Sequence, residues 1–144
     1  MKRILGLSAL TIAFLVLSAD TTLGQKVWYS GNVVQTARDL ESHTDKYAES
    51  INKSMDASSV DGKRIQDEIN GFVDQFEEAT DKLEQKIEDQ KAAPGLFNEV
   101  VARAKVINGA MTKYKVKGEP KALWSLVKKD INKLGKSYGV VVKI

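Results

Sequence analysis

One spacing recurs along this chain and constrains its fold more than any other feature: core-type side chains alternating three and four residues apart. The first run is Val33, Ala37, Leu40, Thr44, Tyr47, Ile51 and Met55, regular except for its last step. The second is Ile65, Ile69, Phe72, Phe76, Ala79, Leu83 and Ile87. Phe97, Val100, Ala104, Ile107, Met111 and Tyr114 form the third, and Trp124, Val127, Ile131, Leu134 and Tyr138 the fourth. Such spacing turns one stripe of a helix toward a partner, as in helical bundles. It predicts helices over 33–56, 62–91, 96–114 and 120–138.

The breaks between the runs are short. "DASSVDG" (Asp56 to Gly62) carries capping Ser and Asp residues and a glycine. In "AAPG" (Ala92 to Gly95), Pro94 is expected to end the second helix, because it disfavours helix at the residue before it. "KVKGEP" (Lys115 to Pro120) separates the last two, with Pro120 suited to a first helical turn. Short connections join antiparallel neighbours, so the expected fold is an all-α, up-down-up-down four-helix bundle. Folding uses the large apolar residues, which leaves no surplus face for membrane insertion. Both chain ends emerge at one end of such a bundle. There the strand-prone segments "KVWY" (Lys26 to Tyr29) and "GVVVKI" (Gly139 to Ile144) are expected to pack together as a short ribbon, with Trp28 and the valines as its apolar content.

The N-terminus predicts the compartment. Met1, Lys2 and Arg3 give a basic start, and Ile4 to Ala19 form a mostly apolar stretch, too short for a span and suited to a secretory signal. Cleavage is expected after Gly24, or alternatively after Ala19; an uncleaved anchor is the competing expectation. Residues 1–24 then form the signal peptide and 25–144 one domain, exported to the periplasm or beyond. The chain has no cysteine, which excludes disulfides, thiolate chemistry and Cys-based metal or haem attachment.

Charge is small in total and uneven along the chain. Residues 38–91 hold 8 basic and 15 acidic side chains, whereas residues 92–144 hold 11 and 3. Asp67, Asp74, Glu78 and Asp81 share one stripe of the second helix. Lys128, Lys129, Lys133 and Lys136 of the fourth helix are the candidate contacts for an anionic partner, with a solvated face as the plainer alternative. An unknown protein or an anionic envelope polymer suits an exported chain; nucleic acid does not. A monomer or weak homo-oligomer is expected.

No catalytic set or phosphate-cradling loop is present, so a non-enzymatic role is expected, with no cofactor. The alternative is a bundle carrying a haem, metal or small ligand through His43, the single histidine, and Met55 or Met111. The Ile-Asn pairs ending at Asn52, Asn70, Asn108 and Asn132 suggest a polar ring. Helix geometry opposes it, turning Asn70 and Asn132 toward water. "NKS" (Asn52 to Ser54) fits a glycosylation sequon that matters only in a eukaryotic source. Gly71, Gly109 and Gly135 fall inside helices, where each costs about 1 kcal/mol relative to alanine.

"DGKRIQDEINGFVDQFEEATDKL" (Asp61 to Leu83) and "ALWSLVKKDINKLGKSYGV" (Ala122 to Val140) resemble a family of small exported all-helical proteins of environmental bacteria, largely uncharacterised. The resemblance is carried by core positions such as Ile69, Phe72, Phe76, Trp124, Leu134 and Tyr138. It implies a fold and supplies no functional residue.

Overall fold

The structure, a computed structural model, describes residues 26–55 and 60–144, so the stretch expected to be a signal peptide and residues 56–59 lie outside the described residues. Four helices follow one another: α1 (Gly31–Ser54), α2 (Val60–Glu88), α3 (Pro94–Lys113) and α4 (Glu119–Ser137). Each packs on its neighbours around a square, α1 on α2, α2 on α3, α3 on α4 and α4 on α1, and among the described residues the backbones of diagonally placed helices do not come into contact. Cross-helix bonds fix the antiparallel order. Arg38 Nε donates to Glu88 Oε1 at 2.7 Å near one end of the α1–α2 pair, and Asn70 Nδ2 to Asn52 Oδ1 at 2.8 Å near the other. No described helix is long and apolar enough to cross a membrane.

The expected seams form the core, with informative exceptions. Val73, absent from the expected stripe, is buried, while Phe72 is only half-buried on the flank. Asp130, beside Ile131, is also buried. At the widest layer, the Trp124 indole lies between Tyr47 and Phe76, with ring centroids 5.1 and 5.6 Å away.

Pro94 does not terminate α2; it is the first residue of α3, where its missing N–H costs nothing. The stop lies earlier, at Gln90, which takes the left-handed conformation (φ 55°). Lys91 N–H then reaches Lys86 O at 2.9 Å and Gln90 N–H reaches Ile87 O at 3.0 Å, closing a Schellman motif. Lys115 (φ 52°) ends α3 in the same way, through Val116 N–H to Met111 O at 3.0 Å. Gly139 (φ 70°) does so after α4. At its start, α2 takes in Val60 and Asp61, ahead of the expected beginning at residue 62.

The two chain ends do meet at one end of the bundle, but not as a ribbon. Lys26 bridges to Lys91 in the α2–α3 connection, Val27 N–H donates to Gln90 O at 2.8 Å, and Tyr29 N–H donates to Gln90 Oε1 at 2.6 Å. Tyr29 then packs edge-on against Tyr138, their hydroxyls 3.2 Å apart, and Tyr138 stacks on Phe97. Trp28, expected to be packed, is 85% exposed. The paired partner is the loop, because its left-handed Gln90 presents both a carbonyl and a side-chain amide oxygen to the incoming strand.

Gly135 has a packing reason. A Cβ there would lie 2.7 Å from Val142 Cγ2 and 3.1 Å from Val140 O, so glycine lets the C-terminal tail fold back on α4. Gly71 and Gly109 face open space, and nothing in the structure explains them. Gly135→Ala is expected to lower the unfolding free energy by about 1–3 kcal/mol, the usual cost of overpacking, with the loss visible in thermal melts. Tyr47 Oη is buried with no hydrogen-bond partner among the described residues, and burial pushes its phenol above the ordinary value. Tyr47→Phe is therefore expected to raise the melting temperature by a few degrees, since an unsatisfied buried hydroxyl costs about 1–3 kcal/mol. A fall would mean that the hydroxyl has a partner.

Candidate functional site

α3 and α4 make the sparsest contact of the four neighbouring pairs. Toward their connecting loop they leave a groove of ≈ 500 Å³. Its apolar lining comes from Met111, Val116 and one edge of Trp124. Its charge comes from Lys115 and Lys117 in the loop and from Lys121 and Lys128 on α4. Positions 121 and 128 are seven apart, so both fall on one helix face, about 10 Å apart along the axis. No carboxylate lines the groove.

Local structure presents these lysines. The left-handed end of α3 lifts Lys115 onto the rim, and Gly118 (φ 73°) turns the chain into α4. Asn108 organises the other end. Its Oδ1 accepts from Trp124 Nε1 at 3.1 Å and from Lys128 Nζ at 3.4 Å. Two donors on one oxygen settle which way the amide points. Among the described residues, the Nδ2 donors of Asn108 have no hydrogen-bond partner. Thr112 and Ser125 hydroxyls already donate to the backbone carbonyls of Asn108 and Lys121. The free donors are thus cationic or amide N–H groups, which suit an anion.

Some lysines elsewhere on the surface are ion-paired, as in Lys53 with Glu49 at 2.5 Å and Lys82 with Glu78 at 2.6 Å, whereas others, such as Lys86, Lys105 and Lys129, have no ion pair among the described residues. Lys115, Lys117 and Lys121 have no acidic partner among the described residues. Glu119, the acid nearest in sequence, lines a separate crevice with Lys46 and Lys53.

The lysines singled out from the sequence divide over three places. Lys128 enters the α3–α4 groove. Lys133 and Lys136 flank a crevice between α1 and α4, and Lys133 Nζ lies 3.3 Å from Asp130 Oδ1. Lys129 is exposed and lines neither opening. Sequence reasoning missed Lys115, Lys117, Lys121 and Asn108. The signal that could have found them is the run of lysines across the α3–α4 turn, joined to the seven-residue step from Lys121 to Lys128.

His43 Nδ1 lies 2.6 Å from Asp130 Oδ2. The structure does not bring His43 together with Met55 or Met111. Met55 follows the far end of α1, twelve residues on, and Met111 lies on α3 at the groove. The described residues contain no cluster of three metal-ligating groups. Nor do the four asparagines form a ring. Asn52 and Asn70 pair across α1–α2, with Asn70 half-buried instead of turned to water. Asn108 serves the groove, and Asn132 Nδ2 donates to Lys128 O.

Comparison with other proteins finds no match. No family model, curated protein or solved structure is similar to the chain. The resemblance carried by Asp61 to Leu83 and Ala122 to Val140 thus rests on those residues alone.

Opposite the basic groove, α1 and α2 gather Glu41, Asp45, Glu77, Asp81 and Glu84. Burial raises Glu77 to about 7, helped by the nearby Asp45, Asp74 and Asp81. Glu41, Asp81 and Glu84 are also raised, each first by burial and then by acidic neighbours. A raised carboxyl means that the folded chain holds a proton the unfolded chain has released. Between the ordinary carboxylate value and about 7, stability therefore rises as pH falls. Lowered groups such as Glu68 and Glu78 act only below that window. The melting temperature is expected to be higher at pH 5.5 than at pH 8, and Glu77→Gln should raise it at pH 8 and shrink the difference. The gain should be on the order of 1 kcal/mol after solvent screening, measurable by calorimetry at the two pH values.

Proposed function

We propose that this chain is an exported, non-enzymatic binding protein of the periplasm or cell envelope, and that its ligand is an anion or anionic envelope polymer seated in the α3–α4 groove. The observation that carries the reading is the set of four lysines without a neutralising carboxylate around a concavity with an apolar floor. Like charges held together cost stability, and among the described residues no salt bridge to these lysines offsets that cost. The volume falls in the range of small-ligand sites. The basic start and apolar run of residues 1–19 support export.

The full chain should be retained on immobilised polygalacturonate at low salt and released as salt rises. Lys121→Glu with Lys128→Glu should abolish retention, whereas Lys129→Glu with Lys136→Glu should leave most of it. Equal loss in the two double variants would show a diffuse charge effect and defeat the assignment to the groove.

A further inference from the structure

We infer that the groove recognises its anion at two points, and so selects a linear ligand carrying two anionic groups about 10 Å apart with an apolar stretch between them. This inference rests on the anion-binding reading and specifies its ligand class.

The donors around the groove are not evenly spread. One pole sits at the α3–α4 turn, where Lys115, Lys117 and Lys121 converge from two loop positions and the first turn of α4. The other sits two turns along α4, where Lys128 Nζ is steered by Asn108 Oδ1 at 3.4 Å, beside the unpartnered Asn108 Nδ2. Between the poles the wall is Met111 and the edge of Trp124, both buried apart from what the groove reveals. A single compact anion would satisfy one pole and leave the other uncompensated. A ligand with two charged ends and a methylene or ring body satisfies both and covers the apolar wall.

Lys115 supports the turn pole independently of cavity shape. It occupies a left-handed position, where glycine is the unstrained residue. Gln90, the other non-glycine in that conformation, uses its side chain to hold Tyr29 N–H at 2.6 Å. The side chain of Lys115 makes no hydrogen bond or ion pair among the described residues and lines the groove instead. A strained residue whose side chain serves no internal contact fits an external one.

The test uses the full chain carrying Trp28→Phe, which leaves Trp124 at the groove as the single tryptophan reporter. Its fluorescence is titrated with straight-chain α,ω-dicarboxylates from succinate to dodecanedioate and with the matching monocarboxylates. The expected result is an affinity maximum at an intermediate length, where the diacid binds about tenfold more tightly than the monoacid of equal length, the effect of one added charge-assisted hydrogen bond. Lys128→Gln should reduce that diacid to the monoacid's affinity. Lys115→Gly should melt at a higher temperature yet bind the diacid several-fold more weakly. Affinity that climbs steadily with chain length, with diacid and monoacid alike, would overturn two-point recognition. The anion-binding reading would survive that result if retention on polygalacturonate still required Lys121 and Lys128. Failure of every acid to bind would overturn the two-point inference, and absence of retention as well would overturn both.

Discussion

The Trp124 indole joins the packing of this bundle to the chemistry of its surface. On the inner side it fills the layer between Tyr47 and Phe76, a position only a large ring can occupy without leaving a cavity. Its N–H cannot remain unpaired in that environment, and Asn108 on α3 supplies the acceptor. That bond uses the amide oxygen, so the amide N–H groups must turn the other way, and Lys128 is drawn to the same oxygen. The side chain that fills the interior thus also orients the polar group at the edge of the groove.

Much of the fold was legible in the sequence because a helical stripe depends only on the rise and turn of the helix. The four seams came from that periodicity, and the antiparallel order from the short connections between the runs. What failed were choices that spacing does not decide. Phe72 and Val73 are adjacent, and which of them enters the core depends on how α2 tilts against α3, a tertiary matter. The end of α2 was assigned to Pro94 because proline carries a familiar backbone signal, whereas Gln90 and Lys115 adopt left-handed turns without any residue-level mark. Trp28 was expected to be covered for its size alone. The bridge at Lys26 instead consumes the backbone and leaves the indole outside.

The candidate site was only partly legible, for a related reason. Sequence reasoning took Lys129, Lys133 and Lys136, which lie opposite the seam of α4, together with Lys128, and so searched the face of a single helix. The residues that converge come from the end of α3, the turn and α4. Asn108 was examined as a member of a repeated pair, a pattern with no physical content here. Its role follows from the Trp124 N–H it accepts, and no repeat encodes that.

The placement of charge separates the two purposes it can serve. An acidic hairpin and a basic hairpin would stabilise each other most if their charges met across the α2–α3 and α4–α1 seams. A few polar groups do: Glu68 accepts from Tyr114 and lies 3.5 Å from Lys113, and Asp130 Oδ2 lies 2.6 Å from His43 Nδ1. The densest groups do not. The α1–α2 carboxylates and the groove lysines lie on opposite sides of the square, too far apart to neutralise one another through water at physiological salt. On one side the carboxyls are raised, first by burial and then by their acidic neighbours; on the other, no carboxylate lines the groove beside its lysines. Pairing of the hairpins would need neither concentration of like charge, and a solvated face would normally intersperse the signs. A fold that keeps them apart projects its field outward, to be screened by dissolved counterions or, on the reading proposed above, offset by a ligand of opposite charge.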